Sequence, residues 1–110
     1  MNYHTVTDER DDEIWSMLLA HAGEEFQKTR GLPFTYQQKI GRTGEPLGEL
    51  VIDRKEKTIT RDTVLLAYNK ALELMKMESS VSEPKKLGVF GASYLYPVFL
   101  DLGICRRNEE

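Results

Sequence analysis

The stretch GVFGASYLYPVFLDLGI, residues 88–104, limits the folds open to this chain more than any other segment. Between Tyr94 and Leu102, seven of nine residues carry large apolar or aromatic side chains, and the only charge is Asp101. Wound into a helix of 3.6 residues per turn, these side chains point in every direction. Full burial of each contributes about 1.5–3 kcal/mol, an upper estimate because unfolded chains are partly collapsed. One side left open would expose an apolar patch larger than monomers ordinarily show. The helix therefore belongs at the centre of the fold or is completed by a second subunit. In the second case Tyr94, Tyr96, Phe99 and Leu100 form the homodimer interface.

The residues leading into the helix offer three readings. A nucleophile elbow needs glycine on both sides of the serine, and Gly91-Ala92-Ser93 is followed by Tyr94 and Leu95. Ser93 is better explained as a helix N-cap, with Pro97 close enough to the cap to cost little. Gly88 and Gly91 around Phe90 predict a bend that lets the backbone approach the sheet or another helix. With Lys85 and Lys86 upstream the same bend could hold an anion, but neither a P-loop nor a dinucleotide fingerprint occurs here.

Two resemblances bear on this region. SYLYPVFLDLG resembles the second helix in helix-turn-helix regulators of the AraC type. It departs from them where reading of DNA is concerned: Ser93 to Gly103 holds no arginine, lysine, asparagine or glutamine to meet bases or phosphates. KTITRDTVLLAYNKALEL (57–74) and KKLGVFGASYLYPVFLDLG (85–103) together resemble a group of short bacterial proteins without assigned function. That resemblance implies a free-standing bacterial protein and carries no chemistry with it.

Upstream, the pattern predicts a long N-terminal helix from about Asp8 to Arg30. Thr7 is its cap, Ile14, Trp15, Leu18, Ala22 and Phe26 its apolar stripe, and Gly31-Leu32-Pro33 its stop. Gly23 inside it costs about 1 kcal/mol relative to alanine. FTYQQKI (34–40) and GELVID (48–53) predict a hairpin, and TIT (58–60) a short third strand. A second helix is expected from Arg61 to Met77, capped by Thr60, with Val64, Leu65, Tyr68, Ala71, Leu72 and Met75 buried. Residues 78–86 read as an exposed, mobile loop, and 106–110 as a fraying tail. The expected fold is α+β: the long helix, a small antiparallel sheet of two or three strands, then two helices packed on one face. At 110 residues it is one domain.

The chemistry offered is sparse. The single Cys105 excludes an internal disulfide or a multi-cysteine zinc site, and its neighbours Arg106 and Arg107 supply no base. His21 has Glu24 and Glu25 one turn on, too few ligands to bind a metal. Ser82 and Lys85 match SxxK by chance, in a proline-bearing polar segment. No catalytic, metal or cofactor residues are assigned. No run approaches the ~20 apolar residues of a membrane span. The polar opening MNYHTVTDERDD lacks a signal-peptide core, so a cytoplasmic location is expected.

Charge is unevenly placed within a net of −3. Seven acids face one base through Glu25, whereas twelve bases face eight acids from Lys28 to Lys86. Arg54, Lys55, Lys57 and Arg61 gather around one turn, as a phosphate or nucleic-acid contact would require, though Asp53, Glu56 and Asp62 interleave with them. The leading expectation is a non-catalytic binding or regulatory module, homodimeric through its C-terminal helix or bound to another protein. A small DNA- or RNA-binding regulator using residues 54–61 is the alternative, and a small-molecule enzyme the third reading.

Overall fold

A computed structural model of the chain describes residues 4–27, 31–54 and 57–107. The elements run α1 (His4–Ala20), β1 (Phe26–Gln27), β2 (Pro33–Phe34), β3 (Tyr36–Ile40), β4 (Pro46–Ile52), β5 (Lys57–Thr60), α2 (Arg61–Glu78), a 3₁₀ turn (Pro84–Leu87) and α3 (Ala92–Asp101). The fold is α+β, as expected, with three α-helices and two small antiparallel sheets among the described residues: β1-β2, and a meander ordered β3-β4-β5.

The N-terminal helix is shorter than its pattern predicts, ending at Ala20 instead of Arg30. Gly23 is the reason. It adopts φ +92°, and its N–H donates to the carbonyl of Tyr36 at 2.9 Å, which carries the chain out of the helix and onto β3. Phe26 does not extend the helix stripe; it pairs with Phe34 across β1-β2 and stacks on Tyr36 at 5.6 Å between ring centroids. Ile14, Trp15 and Leu18 do bury the inner face of α1.

The meander follows strand periodicity. Tyr36, Leu50, Ile52 and Ile59 point inward and are buried, while Gln37 and Lys39 face water. Tyr36 lies opposite Ile52, and Leu50 opposite Ile59, so the inner face is continuous across all three strands. α2 starts where predicted, with the Thr60 hydroxyl accepting from the Thr63 N–H. Its buried stripe is rotated from the predicted one: Val64, Ala67, Ala71 and Leu74 are buried, whereas Leu65, Tyr68, Leu72 and Met75 are half-covered at its side. α2 packs on β4 and β5, and α3 packs on β1, α2 and the 3₁₀ turn.

The segment predicted to be loose is pinned. Val81 is fully buried, its N–H donates to Arg106 O at 2.7 Å, and its carbonyl accepts from the Tyr96 hydroxyl at 2.5 Å. Arg106, placed in the expected fraying tail, also donates from Nε to Ser79 O at 3.2 Å, next to the C-terminus of α2. One buried valine in a polar stretch outweighs linker composition.

Ser93 does not cap α3. The helix begins at Ala92, its cap position is Gly91 at φ +80°, and no side chain caps it. Pro97 consequently lies well inside the helix, where it leaves the Ser93 carbonyl without its i+4 donor. Gly91 is there for closeness: a Cβ on it would stand 2.7 Å from Ile59 Cδ1. Gly91→Ala adds both this overlap and left-handed strain, and is expected to destabilise the protein by roughly 2–4 kcal/mol. In Gly91→Ala/Ile59→Val the clashing methyl is absent. Denaturant unfolding of the two singles and the double should show about 1 kcal/mol of favourable coupling; strict additivity would show that the contact is not close.

Candidate functional site

The apolar helix is covered by its own chain. Tyr94, Tyr96 and Phe99 are 4%, 1% and 0% exposed, and Leu100 is partly buried. Phe34 meets Tyr94 edge-on at 5.1 Å, and Val81 takes the Tyr96 hydroxyl. Of the four positions expected at a homodimer interface, Tyr94, Tyr96 and Phe99 lie in the monomer core instead, and Leu100 packs against it. Burial raises the pKa of Tyr96, with smaller contributions from nearby charges.

The basic turn is divided. Arg54 is exposed, yet its Nε donates to Pro33 O at 3.1 Å. Arg61 pairs through Nη2 with Asp12 Oδ1, joining the start of α2 to α1. Asp53 clasps Thr35 in both directions, its N–H donating to Thr35 O at 3.0 Å and its Oδ1 accepting from Thr35 N–H at 2.9 Å. Lys57 sits in β5 opposite Ile52, and Lys55 lies outside the described residues. Both described arginines are thus engaged in holding the fold.

Two clefts are lined by described residues. One, of about 460 Å³, is lined by Pro84, Lys85, Gly88, Val89, Ala92 and Ser93 beside the start of α3. Lys85 and Ser93 are exposed there, while Lys86 turns toward Glu78 at 3.9 Å. The other, of about 260 Å³, lies between α1 and α2, lined by Glu13, Ile14, Met17, Tyr68, Leu72, Gly103 and Ile104. Five of its seven lining residues are apolar or aromatic, and Glu13 is the only charged one. Met17 is 39% exposed on its rim.

This second groove was missed in the sequence because Tyr68 and Leu72 were assigned to the core. The signal was present: the predicted α2 stripe of Val64, Leu65, Tyr68, Ala71, Leu72 and Met75 is wider than a single packing face requires. Gly103, at φ +77°, reverses the chain after α3 and returns Ile104 to the groove.

His21 and Glu24 form a surface pair, Nδ1 to Oε1 at 2.9 Å. Ser82 and Lys85, the formal SxxK pair, are both exposed. Among the described residues no three histidine, cysteine or carboxylate side chains are grouped to hold a metal, and no helix is long and apolar enough to cross a membrane. The chain matches no protein-family model, no curated protein and no solved structure.

Cys105 is buried, and burial pushes its thiol from 9.0 up to about 11. The folded state holds this proton more tightly than the unfolded state. The corresponding stability is complete below pH 9 and is lost as pH rises through about 11. A disulfide reagent at pH 8 should label Cys105 only at the rate of opening, and denaturant should speed that labelling. Immediate labelling of the native protein would contradict the burial.

Proposed function

We propose that the protein is a small, non-catalytic binding module that takes an apolar, base-flanked segment of a partner protein in the groove between α1 and α2. The observation that carries this reading is the groove itself: Ile14, Met17, Tyr68, Leu72 and Ile104 converge there with a single carboxylate, Glu13, at the edge. Its volume of about 260 Å³ lies below the range usual for small-molecule sites and suits one or two side chains of a polypeptide. Methionine and tyrosine are the residue types that such contacts favour, the first because it adapts in shape and the second because it is rigid and amphipathic.

Charge sets the partner's complement. Glu13 is exposed beside Asp12, whose charge is taken by Arg61, so Glu13 is left to meet a lysine or arginine next to the inserted apolar residue. The reading places the protein in the cytoplasm, where a lone buried thiol stays reduced.

Selection from a random displayed peptide library, with the folded full chain as bait, tests this. The enriched peptides should share a large apolar residue flanked by a base. They should bind Met17→Glu and Leu72→Glu at least ~10-fold more weakly than the parent. Circular dichroism would confirm that both variants keep their fold. Enriched peptides that bind both folded variants as tightly as the parent would overturn the assignment.

A further inference from the structure

α2 has a second unpartnered face, on the side away from Tyr68 and Leu72. Leu66, Lys70, Glu73 and Met77 recur there at spacings of four, three and four, within an arc of about 60°. All four are exposed. Leu66 and Met77 stand 64% and 69% open, among the most exposed large apolar side chains described. Lys70 and Glu73 approach each other at 3.7 Å across one turn, with side chains 44% and 56% open.

We infer that two copies of this chain associate through this face, with the α2 helices antiparallel about a two-fold axis. Spacings of four, three and four are those of a coiled-coil seam, and in an antiparallel pair each position of one type meets the other type on the partner helix. Centring the axis midway between Lys70 and Glu73 sets Leu66 against the partner's Met77, and Met77 against the partner's Leu66. The same operation sets Lys70 against the partner's Glu73 and Glu73 against the partner's Lys70. A two-fold interface must be self-complementary in this sense. A parallel pairing would instead oppose lysine to lysine and glutamate to glutamate. The charge pattern therefore selects both the occupant, a second copy, and its direction.

The intrahelical Lys70–Glu73 pair is exposed and weakly held, so exchanging it for two contacts across the axis is cheap. One helix face buries less than a standard interface, so the dimer is weak and dependent on concentration. The inference is independent of the groove reading, since the grooves lie on the far side of α2. A dimer of this geometry leaves both grooves open and binds a two-site partner with avidity.

Sedimentation equilibrium of the full chain over a wide concentration range tests it. A monomer–dimer equilibrium is expected, with Lys70→Glu and Glu73→Lys each weakening association by ~10-fold or more. An equimolar mixture of these two variants restores opposite charges at both contacts and should dimerise like the parent, while Met17→Glu in the groove should leave association unchanged. A parent that stays monomeric at every concentration overturns the inference. So does a dimer indifferent to both charge reversals, or one that the mixture fails to rescue.

Discussion

Enclosing α3 is the constraint from which the rest of the architecture follows. A helix with apolar side chains on every side needs neighbours on every side, and within this chain they come from short, separate pieces. Phe34 closes one flank, Val81 and Leu87 are buried with it in the same core, and Ile59 of β5 comes up against the backbone at Gly91. The last of these approaches works only because Gly91 has no side chain. The far end closes with equal economy: Ile104 N–H donates to Phe99 O at 2.8 Å and Gly103 N–H to Leu100 O at 3.2 Å. These are the two bonds of a Schellman ending. The chain that leaves α3 is thus turned back toward α1 and α2, where Ile104 completes the groove.

Burying tyrosines obliges the fold to supply hydrogen-bond partners, and it uses them as ties. The Tyr36 hydroxyl donates to Leu18 O at 2.6 Å, near the end of α1. The Tyr96 hydroxyl donates to Val81 O, in the segment joining α2 to the 3₁₀ turn. Each bond satisfies a buried donor; the first ties β3 to α1, and the second fixes an irregular stretch against α3. Burial, with Glu24 nearby adding to it, drives the Tyr36 pKa upward, so both hydroxyls stay protonated donors through the physiological range. Phenylalanine at 96 would take away the hydroxyl that Val81 O accepts from, whereas at 36 Leu18 O would keep the His21 N–H at 3.2 Å.

Much of this was legible in the sequence. The three strands of the meander, the Thr60 cap and the apolar nature of α3 follow from alternation, cap chemistry and density of large side chains. What was not legible depended on tertiary partners. Gly23 looked like a tolerated defect within a helix because the Tyr36 carbonyl that captures its N–H is distant in sequence. Ser93 looked like the cap because serine commonly caps, whereas the position is dictated by the room Gly91 makes for Ile59. Val81 was hidden in a polar run, and only the Tyr96 hydroxyl reveals why it is buried. The covering of Tyr94, Tyr96 and Phe99 could equally have been a second subunit's, since an apolar helix does not specify which chain encloses it.

The candidate surfaces follow from how α2 divides its circumference. Alanines 67 and 71 sit on its buried face with Val64 and Leu74; small side chains there let neighbouring backbones come close. That face is narrower than the apolar content of the helix, which leaves Leu65, Tyr68, Leu72 and Met75 half-covered on one side and Leu66 and Met77 open on another. An ordinary surface helix would carry polar residues at both places. These leucines and methionines, left over after the core is closed, are the apolar surface on which the two proposed contacts rest. The charges beside each set differ in kind: Glu13 is the one charge lining the groove, while Lys70 with Glu73 forms a pair that a two-fold axis maps onto itself. One helix thus carries both the groove proposed for a partner protein and the face inferred to pair with its own copy.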